Sequence, residues 1–113
     1  MGGNFYKRFD AATKERDIVV ECKAMVYTET GNNPAAKISC MREACNDLRS
    51  IPGNVERFLI LMHAAHPTKP HRETLGQYFV RLNMRHLEGI TVLELPENGG
   101  NLVCIHGSFR RAA

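Results

Sequence analysis

Phe58-Leu59-Ile60-Leu61-Met62 is an unbroken apolar run directly after Arg57, with Pro52-Gly53 upstream and polar loop residues downstream. A run of that length between turn signals is typical of a central strand covered on both faces. A central strand needs neighbours on either side, and the chain offers them. Residues 4–13 and 17–27 read as the two strands of a hairpin, and residues 90–95 and 102–105 as two further strands. Between them, Ile38, Met41, Cys45 and Leu48 step by three, four and three, which is one face of an amphipathic helix over about 34–51. A second helix is expected over about 73–87, burying Leu75, Tyr78, Phe79 and Leu82. The order hairpin, helix, strand, helix, strand predicts an α/β domain. Its mixed central sheet of about five strands has a parallel centre, right-handed crossovers and two flanking helices. Phe58, Ile60, Leu61, Val20, Ile38, Leu48, Phe79 and Leu82 are the expected core.

The second constraint is Glu21-Cys22-Lys23, which follows Ile18-Val19-Val20 on a strand that reads as buried. Side chains alternate along a strand, so Glu21 and Lys23 project from one face and Cys22 from the other. Burying a carboxylate and an ammonium costs several kcal/mol unless they are paired or bind something. A structural ion pair is one reason for such a pair, and metal-dependent chemistry is the other.

Asp10 bears on that choice. If Lys14-Glu15-Arg16-Asp17 is a tight turn, antiparallel partners have residue numbers that sum to 31, and Asp10 falls opposite Glu21. Directly opposed residues have Cβ atoms ~5 Å apart on one face. Two carboxylates that close repel unless a cation sits between them. Asp17 is the rival acid, but four residues back on the same strand it is ~13 Å from Glu21, too far to share a metal.

The chain has 113 residues and is expected to be one domain, 1–113, with 43% hydrophobic and 24% charged residues. No apolar run approaches the ~20 residues that span a bilayer, and no signal-peptide pattern opens the sequence. A cytoplasmic protein without a membrane partner is therefore expected. The net charge of +3 tolerates a polyanionic partner without demanding one. Cys22, Cys40, Cys45 and Cys104 lack CxxC spacing and read as reduced, buried, small apolar residues. His63 and His66 have no third ligand nearby in sequence. They read as a strand end running into a loop rather than a metal site.

The residues from Asp10 through Glu21-Cys22-Lys23, and the elements that follow, resemble the PD-(D/E)XK, or restriction-endonuclease-like, nuclease superfamily. That family's core is a hairpin carrying an aspartate and an acid-x-lysine, then helix, strand, helix, strand. The stretches Thr28-Glu29-Thr30-Gly31-Asn32, Pro34-Ala35-Ala36-Lys37, Glu43-Ala44 and Glu73-Thr74-Leu75-Gly76-Gln77-Tyr78-Phe79-Val80-Arg81 are similar to bacterial restriction-type members. The resemblance covers about residues 9–95. Phe9 stands where the family often has proline, and nine residues precede Asp10 where the family usually has a helix.

The resemblance implies a Mg²⁺-dependent endonuclease that hydrolyses phosphodiester bonds in DNA, with Mn²⁺ as a substitute ion. Asp10, Glu21 and the backbone carbonyl of Cys22 would bind the metal, and Asp10, Glu21 and Lys23 would be catalytic. Lys37, at the first helix, and Thr28, Asn32, Arg72 and Arg81 are candidate nucleic-acid contacts, with Glu29 and Arg85 as further possibilities. Each of these also reads as an ordinary loop or solvated side chain. Cutting both strands of a duplex takes two active sites, so a homodimer is expected. The alternative is a non-catalytic nucleic-acid-binding or interaction module that keeps the fold.

Overall fold

A computed structural model of the chain describes residues 11–12, 18–27, 35–69 and 72–107. In chain order its elements are β1 (Ala11–Ala12), β2 (Ile18–Lys23), α1 (Ala35–Arg49), β3 (Glu56–Met62) and α2 (Leu75–Leu82). A short 3-10 helix (Met84–Leu87), β4 (Ile90–Leu95) and β5 (Val103–His106) complete them. The strands form one mixed sheet in the order β1-β2-β3-β4-β5. β2, β3 and β4 run parallel, and β1 and β5 are antiparallel edges. The chain is thus a small α/β domain with a mixed sheet and two helices, as expected. Four strands are four residues or longer, while β1 is a two-residue pairing among the described residues.

Both crossovers, β2-α1-β3 and β3-α2-β4, step across the sheet in the same direction. Two right-handed crossovers of that kind place both helices on one face. The burial agrees: Ile38, Met41, Cys45 and Leu48 of α1 and Leu75, Phe79 and Val80 of α2 share one core cluster with Val19, Leu59, Leu61, Ile90 and Val92. The sheet residues of that cluster lie on matching rows, Val19 beside Arg57 and Ile90, and Leu59 beside Val92.

The central strand therefore departs from expectation. Leu59 and Leu61 are buried, but Phe58 and Ile60 on the other face are only half-buried and Met62 is 37% exposed. Of the expected core, Leu61, Ile38, Leu48 and Phe79 are buried, whereas Val20 is also half-buried. Among the described residues both helices cover the opposite face, and an apolar run does not reveal which face its helices take. The cysteines follow the same division. Cys45 is buried on α1, Cys40 is half-buried, and Cys22 and Cys104, on the face that neither described helix covers, are exposed; none of the four forms a disulfide. β2 also ends at Lys23, not at residue 27.

Arg57 fastens α1 to the sheet. Its Nε donates to Leu48 O at 2.8 Å, and its guanidinium also reaches the carbonyls of Val55 and Ile51. Those of Leu48 and Ile51 belong to the end of the helix and the turn after it, where carbonyls lack intrahelical partners. A guanidinium on the neighbouring strand supplies them.

The second helix is shorter than its apolar pattern suggests. Thr74 caps it with a capping box to Gln77, and it stops at Leu82. Asn83, 2% exposed, donates from Nδ2 to Phe79 O at 2.9 Å and accepts Arg42 Nε at 2.9 Å. An amide that bonds the backbone in this way competes with the helix ladder, and a 3-10 turn follows. The buried stripe is Leu75, Gly76, Phe79 and Val80. Leu82, expected inside, is 51% exposed. The stripe is rotated because Gly76 lets α2 lie close to the sheet at Leu61, Glu94 and Ile105. No helix among the described residues is long and apolar enough to cross a membrane.

Candidate functional site

β2 carries its charged residues at its C-terminal end. Glu21 is 3% exposed and pairs in register with Leu59, while Lys23 is half-buried and pairs with Leu61. Cys22 projects to the opposite face and is exposed. The alternation puts an acid and a base on the helix-covered side, at the edge where parallel strands end. Ligands of open α/β sheets bind at that edge.

The register of the edge pair is Ala11 with Val20 and Ala12 with Val19, so the partners sum to 31 as expected from the hairpin. Asp10 lies outside the described residues, as do Thr28, Glu29 and Asn32. Glu21 and the Cys22 carbonyl are oxygen donors of the kind a hard divalent ion takes. Among the described residues no three His, Cys, Asp or Glu side chains come together to hold a metal. Glu94 is the other buried acid of the sheet, 4% exposed, but it lies two strands from β2, on the row Lys23-Leu61-Glu94. Two strand spacings are ~10 Å, too far for Glu21 and Glu94 to share an ion. A metal site at Glu21 needs a further ligand from outside the described residues.

The segments that leave the strands are tied together around Tyr27. Its hydroxyl donates to Glu73 O at 3.1 Å, and its ring lies 5.0 Å from that of His66. Burial, reinforced by the Glu73 carboxylate, pushes its phenol above the ordinary value of 10.0. His66 Nδ1 accepts from the backbone N–H of Thr68 at 3.2 Å and of Lys69 at 3.1 Å. His66 thus organises the loop after β3, in keeping with the loop reading of His63 and His66.

The expected basic residues have different surroundings. Lys37 Nζ donates to Val26 O, linking the first turn of α1 to the segment after β2. Arg81 forms a two-pronged pair with Glu73, at 2.7 Å from NH2 and 3.1 Å from Nε, with its guanidinium 5.3 Å over the Tyr78 ring. Arg72 is exposed. Arg81 and Arg85 do not share a helix face, because α2 ends between them and Arg85 sits on the 3-10 turn that leads into the start of β4. Arg85 is therefore at the sheet edge opposite Lys23.

Glu94 and Tyr27 are not evident from the motif. Glu94 nevertheless carries the same signal as Glu21, an acid inside an apolar strand. Its Oε2 accepts the Thr74 hydroxyl at the start of α2, so its described role is to dock that helix. Comparison with family models, with curated proteins and with solved structures finds no match to this chain.

Proposed function

We propose that the chain is a Mg²⁺-dependent DNA endonuclease whose active site is Asp10, Glu21 and Lys23. What carries the reading is the position of buried Glu21 beside Lys23 at the C-terminal end of β2, reached from β1 in the register that sums to 31. Continued by one residue, that register would oppose Asp10 to Glu21. Asp10 and Glu21 would then hold the ion together with the Cys22 carbonyl. When bound, Mg²⁺ supplies an activated water and neutralises charge on the scissile phosphate. Glu21 serves as a buried, pre-positioned ligand. Lys23, two residues on and on the same face, places an ammonium where charge builds up on the attacked phosphate. The apolar sheet face with Val20, Phe58, Ile60 and Met62, which neither described helix covers, supports a homodimer, since contiguous apolar surface commonly becomes an interface.

The test is thermal unfolding with and without Mg²⁺ or Mn²⁺, alongside cleavage of a labelled duplex. A ligand that binds only the folded state raises Tm. The ion should raise Tm in the wild type, and Asp10→Asn or Glu21→Gln should abolish both the shift and cleavage. Lys23→Ala should keep the shift and lose cleavage. No shift and no cleavage in the wild type would refute the enzyme and favour a binding module. Light scattering reads the assembly: a mass of 12.7 kDa, unchanged by DNA, refutes the dimer.

A further inference from the structure

We propose that Lys69 and Arg72, on the turn after β3, hold the phosphate backbone of duplex DNA beside the metal site; the inference rests on the nuclease reading above. Lys23 ends β2, and Tyr27 follows four residues later, so their Cα atoms are separated by no more than about 14 Å. The Tyr27 ring touches that of His66, three residues before Lys69. The turn therefore lies at the same end of the sheet as Lys23, where the parallel strands β2 and β3 finish side by side.

Hydrogen bonds hold the described residues on either side of this turn. His66 Nδ1 accepts the backbone N–H groups of Thr68 and Lys69, and Arg72 N donates to Lys69 O at 2.9 Å. The last bond closes the chain between Lys69 and Arg72 and draws the two cations to one end of the loop. Tyr27 anchors the assembly from the β2 side and, through Glu73 O, from the α2 side.

Arg57 is bonded to carbonyls at the end of α1, Arg42 to Asn83, Lys37 to Val26 O, and Arg81 to Glu73. Glu73, the acid next to Arg72 in sequence, is thus already engaged by Arg81. Lys69 and Arg72 are exposed and have no ion-pair partner among the described residues. Among the described residues they are, beside Lys23, cations of this edge left for a polyanion, and neighbouring cations suit successive phosphates.

The experiment measures fluorescence anisotropy of a labelled duplex without divalent metal, over a salt series. It compares wild type, Glu21→Gln, Lys69→Ala/Arg72→Ala and Arg85→Ala. The double variant should keep its Tm, weaken binding by about tenfold per lost contact, and flatten log K against log salt by about 2. Arg85→Ala, at the opposite edge, should bind like the wild type. A double variant that binds with wild-type affinity and slope, while the wild type binds well, overturns the phosphate contact and leaves the nuclease reading intact. A wild type that binds no duplex, or binds only RNA, overturns both.

Discussion

A Cβ added to Gly76 would stand 2.6 Å from Oε2 of Glu94, with Ile105 Cδ1 at 3.1 Å and Leu61 Cδ1 at 3.2 Å. Glu94 cannot simply swing away, because that oxygen accepts the Thr74 hydroxyl that also caps α2. Gly76→Ala should therefore cost about 1–3 kcal/mol through overpacking. In a Glu94→Ala background the same substitution should cost less, since one of the three close contacts is gone. Urea unfolding of the four proteins gives the coupling energy, and strict additivity would refute this contact.

Arg57 is the other fastener between helix and sheet. Arg57→Ala removes the charged donor of the Leu48 and Ile51 carbonyls, leaving Leu48 O only the longer bond from Ile51 N at 3.3 Å, and should cost about 2–3 kcal/mol, the range for a hydrogen bond to a charged group. Arg57→Lys should recover only part of that loss, because an ammonium lacks the planar fork that serves several carbonyls at once. Equal stability of the lysine variant and the wild type would contradict it.

Residues on the two sides of the sheet and helix should respond differently to truncation. Leu59 and Leu61 are 0% and 2% exposed, so alanine at either should cost about 2–5 kcal/mol. Leu82, 51% exposed, should tolerate alanine within about 0.5 kcal/mol. A large loss at Leu82 would show that α2 continues inward past Val80.

Burial pushes the Cys45 thiol from its ordinary value of 9.0 up to about 12. The folded state then holds a proton that the unfolded chain releases, so folding stability should fall as pH rises from 9 towards 12. Cys45→Ala should remove its share of that decline. At pH 8 an aromatic disulfide reagent should modify the exposed Cys22 and Cys104 at once and Cys45 only after unfolding. Rapid modification of Cys45 in the native protein would contradict its burial.

Much of this architecture is legible in local pattern. The step of Ile38, Met41, Cys45 and Leu48 predicts α1 and its buried face, because a helix repeats its environment every 3.6 residues. The span Ile90–Leu95 is β4 to the residue, and the two-residue period places Glu21 and Lys23 on one face with Cys22 on the other. The sum-31 register is the one that a tight turn with Glu15-Arg16 at its tip predicts, which is a local reading as well.

Tertiary structure decided what local pattern leaves open. Nothing in Phe58-Leu59-Ile60-Leu61-Met62 tells Leu59 and Leu61 from Phe58 and Ile60. The division arises because both crossovers step the same way and bring both helices to one side. The pattern of α2 allowed Leu82 inside, but close approach at Gly76 rotated the stripe towards Val80, and Asn83 ended the helix by bonding Phe79 and Arg42. Arg81 and Arg85, four apart in sequence, were separated by that same break. Each outcome depends on a partner distant in the chain, and a residue's own neighbours carry no record of which distant surface it will meet.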